Sequence, residues 1–361
     1  MPEPRFLTDP YLEWARGEGI PIHEDFGFDL LTVEVRPWAR LGAQGAFTHV
    51  RGRGDFLNTC VLEMVPGGET LPQRHLFEEV VYVLDGRGST TVEAPGGARR
   101  SFEWGTRSLF ALPLNVRYQH FNASGRQPAR LVSVTNLPLV LNCFHSSDFV
   151  FANSFEFAER LGPAGRFEGE GDFLPTRPGR HMWETNFVPD LGGFELREWK
   201  ARGAGGSNIM FVLADGTMHA HMSEMPVGTY KKAHRHGADF HIFPVTGHGY
   251  TLLWYEGDPE FVRVDWKHGS VYAPPDQMFH QHFNTSPEPA RYLAVAFGGP
   301  RYPFVEDKRR TFLGMDVSVK EGGRQIEYED QDPRIHALYE EELRKLGLKP
   351  RMDEFLAGAR R

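Results

Sequence analysis

Residues 224–236 read EMPVGTYKKAHRH, and residues 63–75 read EMVPGGETLPQRH. The likeness runs outward from both at an offset of 161 or 162 residues. Downstream, VLDGRG (83–88) answers PVTGHG (244–249), YQHFN (118–122) answers HQHFN (280–284), and RLVSV (130–134) answers RYLAV (291–295). Upstream, RPWARLGAQG from Arg36 answers REWKARGAGG from Arg197. An offset that drifts by one residue over about 100 positions marks a duplication, and it sets the domain count at two.

Within each copy, short runs such as EVVYVLDG and FHIFPVTG end at glycine turns. Turn signals every 8–12 residues predict an all-β sandwich or barrel. The expected layout is a first barrel over 24–140, a connector over 141–184 with a short helix near 155–161, and a second barrel over 185–300. The tail, 301–361, changes character. DPRIHALYEEELRKLG starts on Asp332-Pro333, carries acids early and bases late, and stops at Gly347, which predicts one amphipathic helix over about 332–346. GAGG at 203–206 lacks the strand, helix and Lys-Ser/Thr of a phosphate loop and reads as a turn.

The totals narrow the function classes. At 361 residues with a formal charge of −8, the chain lacks the clustered Lys/Arg of a nucleic-acid surface. No apolar run is long enough to span a bilayer, and the start, MPEPRFLTDPYLEWARGEG, has neither the basic head nor the apolar core of a secretory signal. Two cysteines, Cys60 and Cys143, read as reduced thiols of a cytoplasmic protein.

Nine of the sixteen histidines fall between His219 and His282. Strand side chains alternate faces, so His234 and His236 point one way, as do His280 and His282. Two strands of one barrel, each turning such a pair inward, can converge imidazoles on a metal. Neutral imidazole suits Fe, Mn, Ni, Cu or Zn rather than Mg or Ca.

These residues resemble the cupin superfamily. Gly228, His234, His236 and Gly247 follow its first motif; Gly269, Pro275, His280 and Asn284 follow its second, with Gln277 where a glycine is usual. The resemblance covers about 120 residues in each half and implies a bicupin of two tandem jelly rolls. It further implies that His234, His236 and His280 are metal ligands. The family's fourth ligand, a glutamate, is missing: Phe240 and His241 occupy the two allowed spacings. The site is therefore three histidines, or four with His241 or His282 added.

Without a carboxylate, a divalent transition metal keeps its charge uncompensated, which favours a small anionic, chelating substrate. Open coordination positions suit a non-haem Fe(II) dioxygenase, with Fe(II) favoured and Mn, Zn, Ni or Cu as alternatives. A redox-neutral lyase, isomerase, decarboxylase or hydrolase and a non-catalytic binding or accessory cupin are the competing readings. His282 is the candidate acid–base residue, and Trp254, Tyr255, Tyr272, Gln277, Met278 and Phe283 are candidate pocket walls. His219 and His221 are further candidates for the barrel interior. The first copy has Gln73, His75, Glu79, Tyr118 and His120 at the corresponding places and reads as a degenerate site. Asn122 and Asn284, each in an Asn-x-Ser pattern, read as turn residues. A homodimer is expected from the way related barrels pair.

Overall fold

The computed structural model describes residues 8–177, 180–237, 239–298 and 316–358. The repeat copies fold into two jelly rolls, each made of one large and one small sheet. In the first, the large sheet runs in the order Ile22–Asp25, Ala43–Val50, Asn58–Met64, Ala129–Thr135, Glu79–Asp85, Leu109–Leu112, Phe187–Val188, with Arg36–Trp38 added beside Ala43–Val50. Its small sheet is Arg117–Asn122, Arg87–Glu93, Arg99–Gly105. The second repeats this plan. Its large sheet runs Asp172–Arg177, Arg180–Thr185, Ser207–Leu213, Met218–Met225, Ala290–Phe297, His241–Thr246, Ser270–Tyr272, Gly27–Asp29, with Arg197–Glu198 beside Ser207–Leu213. Its small sheet is Val262–Lys267, His248–Trp254, Phe279–Asn284, Ala233–His234, Gln325–Ile326.

The last strand of each large sheet comes from the other half of the chain. Gly27–Asp29 pairs with Ser270–Tyr272, and Phe187–Val188 pairs with Leu109–Leu112. The sequence copies at 24–140 and 185–300 thus exchange edge strands instead of closing separately. Two arginines at equivalent positions secure the exchange. Arg130 donates to the carbonyls of Leu30 and Val33 and pairs with Glu63; Arg291 donates to those of Leu191, Gly192 and Phe194 and pairs with Glu224. Between the two large sheets lies the principal core, in which Val61, Val80, Tyr82 and Val132 meet Phe211, Phe243, Leu293 and Val295. Face-to-face burial of aliphatic and aromatic side chains, worth about 1.5–3 kcal/mol each, joins the barrels.

Local chemistry explains why the copies share a path. Gly86 and Gly247 both adopt positive φ at the hairpin tips. At Gly88 and Gly249 a Cβ would lie 2.1 Å and 1.9 Å from the carbonyls of Phe121 and Phe283, so only glycine lets those strands approach. Asn122 and Asn284 bind three carbonyls each through Nδ2 and accept from the amide two residues on, fixing identical turns. Gln277, in place of the motif's glycine, still takes the left-handed conformation (φ 57°), as does Asn115 in the first copy (φ 56°).

Outside the sheets, the tail helix spans Pro333–Lys345, capped by Asp332, and buries Ile335, Tyr339 and Leu343. Tyr339 donates to the carbonyl of Asn284, clamping the helix on the second barrel's small sheet. Residues 301–315 of the expected tail lie outside the described residues. In the connector, the helix expected near 155–161 is only a 3-10 turn, Ala158–Arg160; the α-helices are Leu137–Phe144 and Ser147–Phe151. Leu137–Phe144 takes Pro138 into its first turn and caps on left-handed His145, signals hidden by an apolar run that also fits a strand. A further helix, Pro10–Gly17, packs on these two, its first turn capped by Asp9.

Candidate metal centre

Two strands position the triad. His234 lies opposite His280 in the antiparallel pairing of Ala233–His234 with Phe279–Asn284. His236 follows two residues later, on the same face. Ring centroids stand 4.1 Å apart for His234 and His280, 4.5 Å for His236 and His280, and 5.6 Å for His234 and His236. One ligand atom from each of the three falls within 4.8 Å of the others. All three side chains are buried.

Hydrogen bonds orient two of the rings. His236 Nδ1 meets the carbonyl of Gly237 at 2.7 Å, and His280 Nδ1 meets that of Met278 at 3.1 Å. With those carbonyls accepting the Nδ1 hydrogens, the lone pair of each ring lies on Nε2. His280 Nε2 and His234 Nδ1 are buried with no hydrogen-bond partner. Orphaned buried nitrogens are costly unless something meets them, and a cation could do so here. Burial, reinforced by neighbouring Arg202 and histidines, pushes His234 and His280 well below the ordinary imidazole range. Three imidazoles this close together, two of them held neutral by burial, fit a divalent transition metal.

The fourth position is settled by register. In the first barrel Glu79 pairs with Thr135. In the second, His241 pairs with Val295, which brings Phe240 level with Ala296, the counterpart of Thr135. Phe240 and Ile242 line the cavity beside the triad, whereas His241, between them, faces the opposite side of the sheet, toward Arg53 and His49 of the first barrel. His241 is the counterpart of Val80 and is not brought to the triad. His282 does line the cavity, its ring 5.5 Å from that of His280, but it stands outside the ligand cluster. Its Nδ1 contacts Thr251 Oγ1 at 2.8 Å and the Tyr272 hydroxyl at 3.1 Å, and burial pushes its pKa well down.

The cavity is small, about 40 Å³, and its walls differ from those expected. Trp199, Arg202, Asn208, Met210, His221 and Tyr292 form them together with the histidines, Phe240, Ile242 and Ala294. The side chain of His219 lies outside the described residues. None of the six predicted wall residues lines this space. Trp254 and Phe283 face the tail helix, packing in the cluster with Tyr339; Tyr255 is exposed; Gln277 is exposed on its turn; Tyr272 stands behind His282; Met278 contributes its carbonyl to His280. The corrections share a cause, strand parity. Inward positions are i,i+2 pairs: 208 and 210, 240 and 242, 292 and 294, in step with 234 and 236 and with 280 and 282. Phe283 is one residue out of step with His282, and Trp254 is out of step with Thr251, which pairs with His282.

In the first barrel the corresponding residues bond to one another. Tyr118 donates to Glu79 Oε2 at 2.8 Å, and His75 Nε2 lies 3.1 Å from both the same oxygen and the Tyr118 oxygen. His75 Nδ1 meets the carbonyl of Phe77 at 2.9 Å. Gln73 turns away to the carbonyls of Arg40 and Leu71. His120 Nδ1 contacts Thr90 Oγ1 at 2.7 Å, and Trp104 donates to that same oxygen; His282, Thr251 and Trp266 repeat the arrangement in the second barrel.

No protein-family model matches the chain. Over 87 residues it is 32% identical to L-ectoine synthase of Bordetella petrii, a stretch covering 24% of this chain and 62% of that protein. Among solved structures it is similar to oxalate decarboxylase of Lactobacillus farciminis, solved as a formate complex, with a TM-score of 0.50 and 14% identity over 77% of this chain and 87% of that one. A variant of Bacillus subtilis oxalate decarboxylase is similar to the same degree, with a TM-score of 0.50 and 16% identity over 76% and 77%. Identities this low speak for fold and leave chemistry open. Two jelly rolls in tandem, laid out as in those decarboxylases and carrying a histidine triad in the C-terminal half, give this chain the bicupin fold.

Proposed function

We propose that the protein is a metal-dependent enzyme whose C-terminal barrel binds a small, anionic, chelating acid beside His234, His236 and His280. What carries this reading is the charge of the cavity: among the described residues no carboxylate lines it, and Phe240 stands where the first barrel has Glu79. Arg202 lines the wall, and Lys231 lies buried behind it with Nζ 5.1 Å from the ring centroid of Tyr292. Glu224, whose charge Lys231 feels, is paired with Arg291 at 2.7 Å. Arg202 and the imidazoles favour an anion at the wall itself, with Asp316 the nearby acid whose charge bears on Arg202.

His234, His236 and His280 would hold a divalent transition metal, which when bound would supply Lewis-acid or redox chemistry to a chelating acid. Arg202 is placed to orient a carboxylate. Phe240, Met210 and Ile242 exclude water from the reacting end. His282, with Nδ1 tied to Thr251, keeps Nε2 to hold or release a proton. The leading reading is an Fe(II) dioxygenase, with Mn, Zn, Ni or Cu as alternative ions. A redox-neutral lyase or decarboxylase is the second reading, favoured by a cavity of about 40 Å³, which suits a compact acid better than a ring with dioxygen beside it.

Two measurements test this. Metal content by mass spectrometry should approach one transition-metal ion per chain in wild type and fall to background in His234→Ala. Oxygen uptake should follow addition of catechols, hydroxybenzoates, diketones or short dicarboxylic acids. Substrate loss without oxygen uptake moves the assignment to the redox-neutral reading. A wild-type protein that neither carries nor takes up metal ends both.

A further inference from the structure

The first barrel lacks the triad but keeps the space beside it, a cavity of about 50 Å³. Its walls are largely aromatic: Trp14, Trp38, Phe47, Phe77 and Phe151. Its polar floor is the His75–Glu79–Tyr118 group. The hydrogen bonds there close the group on itself. Tyr118 gives its hydroxyl hydrogen to Glu79, the shorter contact at 2.8 Å. His75 then faces only acceptors: the Phe77 carbonyl at Nδ1, and the Glu79 carboxylate and Tyr118 oxygen at Nε2. Both ring nitrogens of His75 are thus engaged, and the Glu79 carboxylate already has Tyr118 and His75 as hydrogen-bond partners. At the mouth, Arg40 is balanced by Glu18 through bonds of 2.8 Å and 2.7 Å.

Among the described residues, the charged groups bordering the cavity are already engaged, Glu79 by Tyr118 and His75 and Arg40 by Glu18. A charged guest would lose its hydration and meet no counter-ion, while a neutral one would exchange water for ring faces. Hydrogen-bonding capacity remains for one polar group, because Trp14 Nε1 is buried without a partner. Arg40, Gln73 and Phe151 also border an open surface cleft, so they form the partition between cavity and solvent. The Arg40 guanidinium lies 4.2 Å from the Phe151 ring centroid, and parting that stacked pair joins the two spaces. A cavity of 50 Å³ is smaller than the roughly 150 Å³ that accepts benzene, so a ring-sized guest enters with the partition displaced.

We infer that the N-terminal barrel is a second small-molecule site, independent of metal, that takes a neutral phenol-class ligand through the Arg40–Gln73–Phe151 partition. The test is ligand-observed NMR on the full-length, metal-loaded protein with phenol, benzoate and benzylamine as probes. Phenol should bind saturably and at least about tenfold tighter than either charged analogue. Binding should persist in His234→Ala, which keeps the two sites' outcomes separate. Leu62→Phe, which fills the cavity, should abolish it. Should that variant fail to fold, Arg40→Ala at the half-buried mouth should speed phenol exchange at least about threefold, as removal of a barrier does. Absence of saturable phenol binding in wild type, equal or tighter binding of benzoate, or loss of phenol binding in His234→Ala would each overturn the assignment.

Discussion

The two barrels share a backbone and differ in how their centres are closed. At equivalent positions, Leu41, Phe47 and Cys60 of the first face Arg202, Asn208 and His221 of the second, and Gln73, Glu79 and Tyr118 face His234, Phe240 and His280. In the first, hydrogen bonds among histidine, carboxylate and phenol close the centre, and these polar atoms are satisfied from within. In the second, His234 Nδ1 and His280 Nε2 are buried without a protein partner. The lesson is that a duplicated centre loses its ion stably when every stranded donor and acceptor finds a neighbour. His282 belongs to what both barrels keep, since its bond to Thr251 is matched by His120 and Thr90. What is new in the second barrel is the hydroxyl of Tyr272, where the first has Phe110.

Transplanting single residues between the barrels tests this contrast. The largest effect is expected from His280→Tyr, which installs the first barrel's phenol among the ligands. Metal retention, followed by mass spectrometry after dialysis against a chelator, should weaken by more than about 100-fold, beyond the loss typical of residues that merely support a ligand.

His241→Val copies Val80 and removes a buried histidine. Burial holds His241 at about 4, below its ordinary 6.5. Between those values the unfolded chain binds a proton that the folded one refuses, so stability is lost as pH falls through that window. The variant should gain about 2 kcal/mol over wild type at about pH 5 and little near neutrality, read by urea denaturation. Metal content should be unchanged; a variant that loses its metal would restore His241 as a ligand.

The smallest effect is expected from Tyr118→Phe, which removes one donor from the closed group. It should cost about 1–2 kcal/mol in the same denaturation experiment. An unchanged metal content in the second barrel would show that the closed group acts locally.

Much of this was legible in the chain, and the limits have physical reasons. The repeat and the glycine turns announced two jelly rolls, because hairpin tips such as Gly86 and Gly247 need a backbone that few side chains allow. The histidine pairs at 234 and 236 and at 280 and 282 announced a common face through strand alternation alone. The cavity walls were not legible from their own segments, because alternation fixes a face only relative to a neighbouring strand. Arg202, on a 3-10 turn outside any strand, carried no such signal. The helices Pro10–Gly17 and Leu137–Phe144 are eight residues each, too short for a period to stand out.

The traded edge strands have a consequence for how this protein can be taken apart. Cutting the chain between its repeats would strip Gly27–Asp29 from Ser270–Tyr272 and Phe187–Val188 from Leu109–Leu112, and would bare an apolar interface on both pieces. Neither half is a free-standing module, and raw sheet margins invite aggregation. The histidine-poor half is therefore retained as part of the other's scaffold, whatever it binds for itself.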